Sequence, residues 1–314
     1  MNNLSNISLQ MLQSMQRIRI VEDLIAADFF DRKIFQFLHL CSGQEAAAVG
    51  VCAALQDSDV VMGNHRSHGH YLAKGGDMRK MLGEIYGSSE GCCKGFGGSM
   101  HMVDRAAGFN GSTPILGSIV SIAAGVALGR RVNGEAGIVA VFIGDGAAEE
   151  GSFYETINLA GVMNIPLLIV VEDNRYAVAS DEKSRKSPGY DHAKIVTGIG
   201  GHYIRVDGQD ATAVYEASVS LRETILSSET SGCGVLHADV LRNWAHSGPI
   251  KDEKSRIADD EMYREEHDPI KVLSNKMVEN GHELADLNEL LFKVKQETEE
   301  IFSNAIDEFP MRVL

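Results

Sequence analysis

With 314 residues, 44% of them hydrophobic and 23% charged, the chain has an ordinary globular composition and enough length for a core that needs no disulfides or structural metal. A formal charge of -15 argues against nucleic acid or an anionic membrane as the main partner, because both are bound by clustered cations. No apolar run approaches the ~20 residues of a bilayer span, and any phosphorylated ligand would need local cations or a divalent metal to overcome the acidic field.

The N-terminal stretch MNNLSNISLQ has neither a secretory nor an organellar targeting pattern, so a cytoplasmic protein is expected. Five cysteines (Cys41, Cys52, Cys92, Cys93, Cys233), without C-x-x-C spacing, fit a reducing compartment, with Cys92 and Cys93 as plain reduced thiols.

From Ile7 to about Lys33 the apolar residues Leu12, Met15, Ile18, Val21, Ile25 and Phe29 recur at steps of three and four, which predicts a long amphipathic helix. Between Cys41 and Phe109 the chain turns Gly- and His-rich and reads as loops over a surface with short helices between. PILGSIVSIAAGVALGR, residues 114–130, predicts a buried helix on which another element packs closely. IVAVFI (138–143) and LLIVVE (167–172) are β-branched runs with a helical segment between, the signature of a parallel βαβ unit. HYIRVDG and GVLHADVL add two strands around another helix. The alternation predicts an α/β fold, an open, mostly parallel sheet flanked by helices. The whole is read as a single domain: an N-terminal helix through residue 35, a body over 36–243, a mobile loop over 244–268, and C-terminal helices over 269–314. The acidic run from Asp252 to Glu266 reads as a solvated loop.

In a right-handed βαβ unit the residues just past both strands share one sheet edge, so Asp145 and Asn174 become neighbours. A carboxylate and an amide oxygen are hard ligands that, with a backbone carbonyl and phosphate oxygens, suit Mg²⁺. The flanking glycines let backbone approach a diphosphate. On spacing alone, a helix cap at Asp145 and a turn at Asn174 explain the same residues equally well.

The stretch GDGAAEEGSFYETINLAGVMNIPLLIVVEDNRYAVAS resembles the thiamine diphosphate motif in alpha subunits of 2-oxo acid and acetoin dehydrogenases. The resemblance continues through FLHLCSGQEAAAVG, HRSHGHYLAKG, GFGGSMHM, LRNWAHSG and DPIKVL, and covers most of the chain. It implies a thiamine diphosphate-binding fold in which Asp145, Asn174 and the carbonyl of Tyr176 ligate Mg²⁺. Gly146 and Ala147 would meet the diphosphate through backbone, Arg66 would pair with the phosphates, and the segment at Leu116 would meet the aminopyrimidine. His39 and His246 match histidines near the reacting carbon, while His68 and His101 match residues that act there or only brace loops. A zinc cluster of His65, His68 and His70 is the weaker alternative, since no fourth ligand is evident.

Four positions depart from the family pattern: His65 where Tyr is frequent, Pro114 for Gly, Asp173 for Asn, and Trp244 for His. His65 can still donate to a phosphate, so the departures at Pro114 and Trp244 bear on the substrate instead. Ser247 lies where some relatives are phosphorylated, although a plain loop serine is the simpler reading.

The resemblance further implies that the glutamate activating the cofactor belongs to a beta subunit, with the cofactor between chains of an α2β2 assembly. The implied activity is decarboxylation of a pyruvate-like 2-oxo acid, or acetoin cleavage, with acyl transfer to the lipoyl group of an acyltransferase. The alternative is a two-subunit carboligase that passes the acyl carbanion to an aldehyde or ketone.

Overall fold

The computed structural model describes residues 3–228, 232–250 and 261–309. Among these are eight strands: β1 (Val60–Gly63), β2 (Phe109–Ser112), β3 (Val139–Gly144), β4 (Leu167–Asp173), β5 (Tyr176–Ala177), β6 (Ser180–Asp181), β7 (His202–Asp207) and β8 (Cys233–Asp239). Six form one sheet in the order β2-β1-β3-β4-β8-β7, with every neighbouring pair parallel; β5 and β6 make a separate antiparallel hairpin.

The helices are α1 (Asn3–Phe30), α2 (Glu45–Ala54), α3 (His68–Ala73), α4 (Met78–Ile85), α5 (Ser118–Val132), α6 (Gly151–Val162), α7 (Glu182–Arg185), α8 (His192–Gly198), α9 (Ala211–Ser227), α10 (Glu261–Glu266), α11 (Pro269–Glu279) and α12 (Leu284–Glu308). They cover both faces of the sheet, which is why the central strands are apolar on both sides. Because side chains alternate along a strand, Val139, Val141, Ile143 and Ile169 pack with residues of α5 and α6 on one face. Ala140, Phe142, Leu168 and Val170 point to the opposite face, toward α9 and α1. At the N-terminal end, Met11, Leu12, Met15 and Ile18 of α1 join Ile270, Leu273, Met277 and Leu287 of the last two helices. Among the described residues no helix is long and apolar enough to cross a membrane, and all five cysteines are free.

Three expectations are corrected. The first part of the Gly- and His-rich segment does not lie over the surface: residues 45–52 of α2 are buried, and so are residues 64–71, whereas residues 90–108 are mostly exposed or half-buried as expected. Small residues there serve close packing, since a Cβ on Gly50 would sit 2.7 Å from the Val214 side chain of α9. Helix α5 is only half buried: Ile119, Val120, Ala123, Ala124 and Ala127 face the core, whereas Ile122 and Val132 are exposed. Of the loop expected over 244–268 and the acidic run within it, residues 251–260 lie outside the described residues. Residues 261–266 are helical, as α10.

Candidate functional site

The parallel register pairs Gly144 of β3 with Glu172 of β4, so Asp145 and Asn174 leave the sheet at the same edge. There a cavity of about 180 Å³ is lined by His65, Arg66, Leu116, Asp145, Gly146, Ala147, Asn174, Tyr176 and His246. His39 stands behind this wall, its ring 4.6 Å from that of His65 and 5.3 Å from that of His246. His39, His65, Arg66, Leu116, Asp145, Gly146, Ala147, Asn174, Tyr176 and His246 therefore converge on one place, whereas His68 and His101 do not line it. A larger cavity of about 300 Å³ adjoins it through Asn174, Tyr176 and Arg242 but is lined by neither Asp145 nor His39, His65 or His246.

The backbone around the cavity is tightly constrained. A Cβ on Gly146 would lie 2.6 Å from the Ala177 Cβ, so only glycine lets the loop after β3 meet the β5–β6 hairpin this closely. Arg175 (φ 66°) and Val178 (φ 54°) flank Tyr176 in the left-handed region, which is costly for a β-branched valine and fixes where the hairpin turns.

Asp145 does not cap a helix. Gly146 precedes the short 3-10 turn Ala147–Glu149, and Glu150 precedes α6. The Asp145 carboxylate accepts a short hydrogen bond from Arg185, whose Nε also reaches both carboxylate oxygens of Glu149 at 3.1 and 3.2 Å. Burial and the neighbouring Asp173 push the Asp145 carboxyl up, against the pull of Arg185 and Lys186. Asn174 does form a turn, its Oδ1 accepting from Tyr176 N at 3.2 Å, while its amide nitrogen donates to Gln44 at 3.4 Å.

Arg66 is buried and directed at the histidine end. Its guanidinium donates to Leu40 O at 2.9 Å, to His246 O at 2.8 Å and to His246 Nδ1 at 3.2 Å. A guanidinium cannot accept, so in the neutral ring the His246 proton sits on Nε2. Burial, reinforced by Arg66 and His246, pulls His39 down to about 3; burial and Arg66 also drive His65 far down. Both rings are neutral at physiological pH. Both ring nitrogens of His65 and Nδ1 of His39 are buried without a protein partner.

The zinc alternative fails because its three histidines diverge. His68 bonds Glu22 at 3.0 Å and Ser99 at 2.8 Å, whereas His70 bonds Glu172 at 3.0 Å and stacks on Phe142. His68 is thus a brace. Burial pushes Glu22 up, but His68, the Cys41 N–H and the Ser42 hydroxyl outweigh it and hold this carboxyl low, tying α1 to the segment before α2. His101, with Nδ1 3.1 Å from Gly97 O, lies outside the cavity lining. The imidazoles that do converge are His39, His65 and His246.

Arg185 was missed from the sequence. It sits in an unremarkable charged stretch, SDEKSRK, and the only hint was that an acidic motif followed closely by Arg-Lys needs a counter-charge.

Comparison with known proteins places the chain in a family. The family described as Dehydrogenase E1 component matches residues 13–311. The alpha subunit of acetoin:2,6-dichlorophenolindophenol oxidoreductase from Bacillus subtilis (strain 168) is 34% identical over 293 residues, 90% of this chain and 84% of that protein. The corresponding subunit from Cupriavidus necator is 37% identical over 238 residues, 76% of this chain and 71% of the relative. The pyruvate dehydrogenase E1 component subunit alpha of Rhizobium meliloti is 33% identical over 273 residues, 86% and 76% of the two chains.

Proposed function

The chain belongs to the dehydrogenase E1 component family, and from that premise we propose that it is the alpha chain of a two-subunit thiamine diphosphate-dependent dehydrogenase. With a beta chain it cleaves acetoin or decarboxylates a pyruvate-like 2-oxo acid, in the cytoplasm, and passes the acyl group to a lipoyl carrier.

One observation carries this reading: hard oxygen donors and a wall of imidazoles meet in one cavity at the sheet edge. The residues fit the cofactor. Asp145, the Asn174 amide oxygen and the Tyr176 carbonyl are the donor types a divalent magnesium ion takes. Gly146 keeps the loop after β3 free of a side chain where it meets the hairpin, and both nitrogens of His65 and Nδ1 of His39 are buried polar atoms with no protein partner, which suits a polar ligand.

Thiamine diphosphate supplies the carbanion chemistry when bound. The chain's own part is to hold and to donate. Asp145, Asn174 and Tyr176 would hold Mg²⁺, the backbone of Gly146 and Ala147 would receive the diphosphate, and the segment at Leu116 would meet the aminopyrimidine. Arg66 supplies positive charge and fixes the His246 tautomer, so Nε2–H is the donor this histidine offers toward a substrate oxygen. His39, held neutral beside it by burial, offers a ring nitrogen for a hydrogen bond and not a proton-accepting base.

The divided site is supported by the carboxylates already in the cavity. Glu149 is engaged by Arg185, Glu172 by His70 and Asn64, and the Glu150 carboxylate packs where a Gly117 Cβ would be, 1.9 Å from one of its oxygens. Exposed apolar side chains, Phe35, Phe37 and Phe96 and also Ile122, Val132 and Val162 on α5 and α6, support a protein partner. The carboligase alternative drew on Pro114 and Trp244. Neither lines the cavity, and Trp244 packs against the main core, so no observation of the site favours it.

Titration calorimetry on the assembled protein tests the assignment. Asp145→Ala is expected to abolish Mg²⁺-dependent binding of thiamine diphosphate while the circular dichroism spectrum is kept; unchanged affinity would remove the metal site.

A further inference from the structure

The Asp145 carboxylate is already in use. Its Oδ2 takes a short hydrogen bond from Arg185 Nη2, and its side chain is only 3% exposed. The same guanidinium spans to Glu149 through Nε, and Lys186 stands 3.9 Å from Glu149 and 4.0 Å from Asp173. Two cations from one short segment therefore cover the carboxylates at the metal end of the cavity. A guanidinium and a divalent ion on one buried carboxylate repel each other strongly, because little solvent screens them.

We propose that Arg185 is a displaceable counter-ion: it occupies the Asp145 carboxylate in the unloaded protein, and the incoming divalent cation must expel it. The inference rests on the assignment of Asp145 as a metal ligand. Loading is then an exchange of one cation for another rather than the filling of a bare site.

The segment that carries Arg185 is built for such a movement. Helix α7 is four residues long with no buried side chain, and the preceding β6 is exposed. Its anchors lie at its ends: the left-handed residues Arg175 and Val178 on one side, and on the other the Tyr190 hydroxyl, 2.6 Å from that of Tyr154. Between these points Arg185 can leave Asp145 and keep Glu149, so its charge remains paired. The latch neutralises Asp145 in the absence of metal, where a buried carboxylate would otherwise lack a partner, and it raises the metal concentration needed for loading.

The test is titration of the assembled protein with Mn²⁺, followed by electron paramagnetic resonance, with a parallel melting curve in EDTA. Arg185→Gln is expected to bind Mn²⁺ about tenfold more tightly, as removing a paired cation does for a carboxylate's affinity for a competing one, and to melt lower in EDTA. Arg185→Lys, which keeps the charge but cannot bridge two carboxylates, should fall between. Equal or weaker Mn²⁺ binding by Arg185→Gln overturns the latch, since a residue that helps hold the loaded site gives that sign. Asp145→Ala separates the two claims: Mn²⁺ binding untouched by it overturns the metal assignment itself, and the latch with it.

Discussion

Arg66 and His246, 180 positions apart in sequence, are joined twice: the guanidinium donates to the ring Nδ1 at 3.2 Å and to the main-chain carbonyl at 2.8 Å. One buried cation thus sets both the place and the tautomer of the histidine proposed to face the substrate. Arg66→Gln should lower cofactor affinity and turnover together, by about 2–3 kcal/mol in kcat/KM, on the order of a hundredfold. His246→Ala removes the Nε2 donor but leaves the main-chain carbonyl that Arg66 also uses, so its loss should fall on kcat with cofactor affinity nearly kept. Steady-state kinetics with calorimetry separates the two patterns; an affinity loss alone in His246→Ala contradicts the donor role.

The loop before the cavity depends on one carboxylate. Glu84 is fully buried and accepts from four main-chain N–H groups, those of Cys93, Gly95, Gly97 and Gly98, at 2.6 to 3.0 Å. Glu84→Gln has one acceptor atom in place of two, so some of these half-buried donors lose their partner, at a cost of about 1–3 kcal/mol. A melting temperature lower by roughly 5 °C is expected in calorimetry. An unchanged value would mean that the loop is held by other contacts.

Much of this was legible in the sequence where a periodic pattern and a special residue coincided. Val139–Gly144 and Leu167–Asp173 are strands close to where their β-branched runs put them, and the parallel connection brought Asp145 beside Asn174 as expected. The strands Val60–Gly63 and Phe109–Ser112 were not foreseen, because four-residue strands among glycines and histidines carry too little period-two signal. For the same reason the buried helix Glu45–Ala54 was mistaken for surface, its small residues reading as loop when they serve contact with Val214. The gathering of His39, His65 and His246, and the bridge from Arg185 to Asp145, are tertiary contacts between distant segments, to which no local pattern points.

Acid should destabilise the fold through its buried imidazoles. Burial lowers His39 to about 3 and His192 to about 4 from the ordinary 6.5, and lowers His65 in the same sense. Below pH 6.5 the unfolded chain binds protons that the folded chain refuses, so stability is flat above that pH and falls as pH drops toward 4. Asp23, pushed up to about 6 by burial, takes a proton in the folded state over part of the same range and offsets some of the fall. Denaturant melts at pH 7.5, 6 and 5 should show the decline, and His192→Asn should make it shallower. A stability that rises on acidification contradicts buried neutral histidines.

The central claim is that this chain carries the metal and diphosphate end of a thiamine site that a beta chain completes. It is tested most directly by turnover of pyruvate or acetoin with an artificial electron acceptor, at saturating thiamine diphosphate and Mg²⁺, for the chain alone and with its cognate beta chain. The account predicts no turnover from the chain alone, because Glu149 is engaged by Arg185 and Glu150 is packed against Gly117, and restored turnover on addition of the partner. Robust turnover by the isolated chain would contradict the divided site.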